Sequence, residues 1–81
     1  MRKTINVNKY ARICGGVVVG TLSAIRELRI GEEVEIFIEN NKEKLREFAQ
    51  VIETLRKFKI IEIIEWKEPN RVVLRRIKTL I

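Results

Sequence analysis

The chain has no histidine and no aspartate, a single cysteine (Cys14), a single proline (Pro69) and only five aromatic residues. Without His or Asp, one chain cannot assemble a Ser-His-Asp triad, a Cys-His dyad or a Cys/His zinc site, which argues against a self-sufficient hydrolase, and neither metal nor cofactor is expected. One thiol also rules out an intrachain disulfide. It leaves a buried thiol, an intermolecular bridge or a reactive thiolate. No apolar run approaches the roughly 20 residues that cross a bilayer, and the first residues carry no long apolar stretch or small-residue cleavage site. The chain therefore reads as a soluble, cytoplasmic protein with no membrane partner.

What is present is 81 residues, 46% apolar and 35% charged, enough for one small domain over residues 1–81 and too few for a second core. Every acid is Glu; 17 Lys and Arg against 11 Glu give a net charge of +6, a balance that favours anionic partners without identifying them. Heavy use of Ile, Val, Lys, Arg and Glu gives a thermophile-like composition, which five asparagines dilute.

Hydrophobic periodicity predicts the elements. Thr4 to Asn8 alternates at period two, a short strand with Ile5 and Val7 inward. After Gly15 and Gly16, the residues Val18, Leu22, Ile25 and Leu28 fall at helical spacing with Val17, Thr21 and Ala24 beside them, so a helix is expected despite the β-branched Val17-Val18-Val19 start. Gly31 is expected at its left-handed C′ position, with Arg26 and Arg29 facing the carbonyl end. Glu33 to Glu39 alternates cleanly, with Val34, Ile36 and Ile38 inward. Asn40 or Asn41 is the expected N-cap of a second helix whose stripe is Leu45, Phe48, Ala49, Ile52 and Leu55, running to about Lys57. Residues 60–66 and 71–77 read as a hairpin around a turn at Lys67-Glu68-Pro69-Asn70. The expected fold is α+β: a two-layer α/β sandwich in the order β-α-β-α-β-β, both helices covering one face of a four-stranded mixed sheet.

Cys14 stands where the chain opens its first helix, facing that terminus's orphan amides and partial positive charge. Lys9 and Arg12 are close enough in sequence to favour a thiolate further, and Gly15 and Gly16 leave the backbone uncovered for a partner's approach. Sequence position serves a small buried thiol at a tight turn equally well.

The run from Cys14-Gly15-Gly16-Val17 to Gly31-Glu32, followed by an alternating strand, resembles the TusA/SirA-like family, in which a Cys-Pro-x-Pro motif opens a helix ending in a Gly-Glu step. The interval from the cysteine to Gly31 fits without a gap, and the likeness extends from about Ile5 to Ile77. The resemblance implies a small sulfur-carrier protein in which Cys14 accepts persulfide sulfur from a donor protein and relays it to an acceptor protein. Gly15 and Val17 replace the family's two prolines, so the rigid helix start is absent.

The strand and helix order is also similar to that of Alba-type nucleic-acid binders and of the C-terminal domain of bacterial initiation factor three. The alternative function is thus a basic nucleic-acid-binding module that uses Arg2, Lys3, Lys9 and Arg12 at one end of the sequence and Arg71, Arg75, Arg76 and Lys78 at the other. A third reading is an interaction protein that keeps the fold without chemistry. Gly15, Gly20 and Thr21 superficially match a phosphate-binding loop, but its lysine is missing. Glu32, Glu33, Glu35 and Glu39 read as a solubilising face. Phe37 and Trp66 are expected beside those acids, which makes the exposed sheet face a candidate surface for a homodimer or a partner protein.

Overall fold

The computed structural model describes residues 3–9 and 16–78. Its elements are β1 (Lys3–Asn6), α1 (Val17–Arg26), β2 (Glu33–Phe37), α2 (Lys42–Lys57), β3 (Ile61–Glu68) and β4 (Arg71–Arg76). The strands form one mixed sheet in the order β1-β2-β4-β3. β1 runs parallel to β2, while β4 is antiparallel to both β2 and β3. The helices pack on one face, so the α+β two-layer sandwich expected from the sequence is the observed architecture.

The core lies between the layers. Ile5, Val34, Ile36, Ile38, Val72, Leu74 and Ile61 reach it from the sheet, and Val17, Ala24, Ile25, Phe48, Val51, Ile52 and Leu55 from the helices. The alternating pattern of β2 is satisfied as read, with Val34, Ile36 and Ile38 fully buried. α2 begins where Asn41 accepts hydrogen bonds from the amides of Glu43 and Lys44, a cap of a kind that stabilises by about 1 kcal/mol.

Several local expectations are corrected. β1 ends at Asn6, and residues 7–9 are already helical; Val7 stays fully buried because the first turn folds it back onto the core. The buried face of α1 is Val17, Gly20, Thr21, Ala24 and Ile25, at spacing i, i+3, i+4, i+7 and i+8, whereas Val18 is exposed. Val17, Thr21, Ala24, Ile25 and Leu28 are thus buried as their spacing implies, and Gly20 joins them on the same face. The α2 stripe likewise includes Val51, and Ala49 is only half-buried.

The first helix stops at Arg26, and Gly31 lies five residues beyond it. Gly31 does adopt a left-handed backbone (φ 87°), but it does so to turn the chain into β2, where its amide donates to the Arg76 carbonyl at 2.7 Å. In the hairpin, β3 continues to Glu68, and the turn is confined to Pro69 and Asn70.

Candidate functional site

The sequence placed its chemistry at the start of the first helix. Cys14, Arg12, Gly15 and Arg2 lie outside the described residues. Gly16 is the N-cap of α1, with φ 138° and ψ 171°, a backbone conformation essentially restricted to glycine. It supplies no side-chain cap, and its carbonyl accepts the first intrahelical bond, from Gly20 at 2.8 Å. The leading amides of α1 therefore have no side-chain acceptor from the cap residue, and they carry the positive end of the helix dipole. Lys9 is exposed in the helical turn that follows β1.

Gly16 and Val17 border a depression of about 630 Å³ together with Asn6, Asn8, Glu39 and Glu43. Glu47 and Lys44 complete its rim. Two forces of opposite sign meet here. The helix terminus attracts an anion, while the glutamates repel one; Lys44 offsets part of that repulsion by pairing with Glu39 at 2.5 Å. The Asn8 side-chain oxygen is enclosed without a hydrogen-bond partner among the described residues.

Among the described residues, the candidate phosphate-binding cations do not converge on one surface. Arg71 and Arg75 project from the sheet face opposite the helices. Arg75 bridges Glu33 and Glu62, the latter at 3.0 Å, while Arg71 pairs with Glu35 and stacks over the Phe37 ring at 4.6 Å. Lys67 reaches Glu35 as well, at 2.9 Å. These two hydrogen-bonded cations, Lys67 first, hold the Glu35 carboxyl below the usual carboxylate range, against a smaller opposing effect of desolvation. In the same way Glu33, more than Glu62, raises the Arg75 guanidinium above its ordinary value. Val73 lies fully buried on this face although no second layer covers it, because the stems of the paired charges around it do.

Arg76 points the other way. It continues the inward set of Val72 and Leu74, is only 7% exposed, and donates from Nη1 to the carbonyls of Ile25, Arg26 and Leu28 at 3.2, 2.9 and 2.6 Å. Its charge caps the carbonyl end of α1 and does not face solvent. This role was missed in the sequence, although the period-two pattern of β4 carried the signal. Lys3 lies 4.0 Å from Glu32, and Lys78 is exposed just past β4.

The sheet face offered for a homodimer or partner is likewise different from expectation. Phe37 is on it, but Trp66 is not. A bulge between Ile63 and Glu65 shifts the register of β3 by one residue, pairing Trp66 with Val72 and turning its ring to the helix side, edge-on to Phe48 at 6.0 Å. The face is a lattice of Glu, Arg and Lys rather than a half-apolar patch.

The remaining motifs are structural. Gly20 and Thr21 are buried in α1, and Glu32 accepts a hydrogen bond from the Arg29 amide at 2.9 Å, closing the turn before β2. Among the described residues, no group of three or more His, Cys, Asp or Glu side chains is placed to hold a metal ion, and no helix is long and apolar enough to cross a membrane. No family model, curated protein or solved structure matches the chain.

Proposed function

We propose that this protein is a small sulfur carrier that accepts persulfide sulfur on Cys14 from a donor protein and relays it to an acceptor protein. The observation that supports this reading is the start of α1. Cys14 precedes by two positions an N-cap glycine that offers the helix amides no side-chain acceptor, so an anion held there meets both unsatisfied donors and the helix dipole. In the transfer, the Cys14 thiolate attacks the outer sulfur of the donor's persulfide. A new S–S bond forms on Cys14, the donor's S–S bond breaks, and the donor cysteine leaves as a thiolate; no external oxidant or reductant is consumed. At the acceptor the roles exchange: the acceptor's thiolate attacks the outer sulfur carried on Cys14, an S–S bond forms on the acceptor, the one on Cys14 breaks, and Cys14 leaves as a thiolate. Lys9 and Arg12, near Cys14 in sequence, favour the anionic form, and the exposed Gly16, which has no side chain, admits the partner. The glutamates on the neighbouring rim favour donors and acceptors with basic surfaces.

Intact-mass spectrometry after incubation with glutathione persulfide tests the reading. The wild type is expected to gain the mass of one sulfur atom, removable by a thiol reductant, and Cys14→Ser to gain none. Equal lack of uptake by both proteins sinks the carrier function. The nucleic-acid alternative makes the opposite demand: a salt-dependent shift of DNA or RNA that is indifferent to Cys14→Ser.

A further inference from the structure

A second surface has a different chemistry. Along the outer edge of the sandwich, α2 and the end of β3 border an open groove of about 770 Å³. Its helical bank is Lys42, Leu45, Arg46 and Ala49, at i, i+3, i+4 and i+7 on one face of α2; Trp66 and Pro69 line the strand side. β3 is an edge strand, so no further strand closes the groove on that side.

Three observations make this more than an incompletely covered core. Trp66 is there only because the β3 bulge rotates it to the helix side, and it remains 37% exposed. The lining is predominantly apolar, built by Leu45, Ala49, Trp66 and Pro69. Lys42 and Arg46 stand on its bank with no ion-pair partner among the described residues, in contrast to Arg71, Arg75 and Lys67, each held by a glutamate. Lys67 is already neutralised by Glu35, and Glu68 at the strand end offsets one of the two α2 cations, so the groove keeps a net positive charge on its α2 bank.

We propose that this groove docks a short acidic segment of a partner protein. A leucine or phenylalanine of that segment sits against Trp66, Leu45 and Ala49, and flanking carboxylates pair with Lys42 and Arg46. Charge placement selects a short segment over a nucleic acid. A phosphate backbone needs a continuous cationic track, whereas here Glu43 and Glu47 lie on the adjoining face of α2, and Glu33, Glu35 and Glu62 on the far face of the sheet. A segment with a few carboxylates ends before it meets them. The docking involves no part of the Cys14 region.

Trp66 is the only tryptophan, so its emission reports on the groove directly. The probe is a capped hexapeptide of two glutamates, leucine, phenylalanine and two glutamates, titrated into the full chain at low salt. A saturable shift of Trp66 emission is expected, weakened at least about tenfold in Lys42→Glu/Arg46→Glu. The same peptide with lysines in place of the glutamates is expected to leave the wild type unchanged and to bind the doubly substituted protein, a swap that also shows the variant is folded. Should that variant fail to fold, Arg46→Gln alone is expected to weaken the acidic peptide about threefold. An unchanged emission in the wild type, equal affinity in the variants, or tighter binding of oligothymidylate than of the peptide at the same groove would each overturn the proposal.

Discussion

Removing the Arg76 guanidinium tests the most unusual feature of this core, a buried cation with no ion-paired carboxylate among the described residues. In Arg76→Met the aliphatic stem is kept and the charge-assisted bonds are lost. The Ile25 carbonyl retains a partner, because the amide of Leu28 donates to it at 3.0 Å. The Arg26 carbonyl is only part-buried and can turn to water. The Leu28 carbonyl, bonded at 2.6 Å in a buried setting, is left without the donor it had. One orphaned buried carbonyl costs about 1–3 kcal/mol, and a cation lost from a helix C-terminus costs about 1 kcal/mol, so the substitution is expected to destabilise by ~2–4 kcal/mol. For a domain of this size that lowers Tm by roughly 10–25 °C. Arg76→Lys keeps the charge but cannot reach three carbonyls at once, and about half the loss is expected. Urea unfolding measures both, with an unchanged m-value marking a pure stability effect. A loss below about 0.5 kcal/mol in Arg76→Met would refute the capping argument. The result also decides how any Arg76→Glu binding experiment is read: a carboxylate placed against the α1 carbonyls is expected to unfold the protein before it says anything about phosphate contacts.

Two further outcomes follow from the same physics. Because Lys67 and Arg71 hold the Glu35 pKa below its ordinary 4.5, the folded value lies under the unfolded one; the stabilisation is fully present above the unfolded value and is lost as pH falls through the folded one. Urea midpoints measured from neutral pH to roughly pH 3 are expected to fall more steeply for wild type than for Glu35→Gln, and parallel curves would show that the network contributes nothing. Gly16→Ala adds a Cβ that meets nothing within 4 Å, so its cost is that of the φ 138° backbone alone, about 1–3 kcal/mol, read as a Tm loss; a neutral result would show that the helix start relaxes freely.

Elements with one strong period were legible before any coordinates. β2 is the clearest case, since a single-residue slip would drive Val34, Ile36 and Ile38 out of the core. A cap at Asn40 or Asn41 was legible too, because a short amide side chain ahead of a helical stripe has an evident use there, and the structure assigns it to Asn41. α1 was legible as a helix and in most of its buried face, since Val17, Thr21, Ala24, Ile25 and Leu28 were on or beside the expected stripe; Val18 turned out exposed, and Gly20, which carries no side chain, gave no apolar signal. For the proposed carrier site, a cysteine ahead of a helix was legible in the sequence, and the structure added the Gly16 cap geometry and the acidic rim.

The sequence alone determined the order of elements, the alternating sheet interior and the absence of histidine- or aspartate-based chemistry, because period, caps and composition act through near neighbours along the chain. Only the tertiary structure decided that Arg76 points inward, that Arg71 and Arg75 are neutralised across strands, and that Trp66 lies in a groove with Lys42 and Arg46. Each of those outcomes depends on a pairing between distant segments: the Glu33–Arg75 register, the carbonyls that α1 presents to β4, and one extra residue in β3. Local pattern sets which side chains are available; register and bulges set which of them meet.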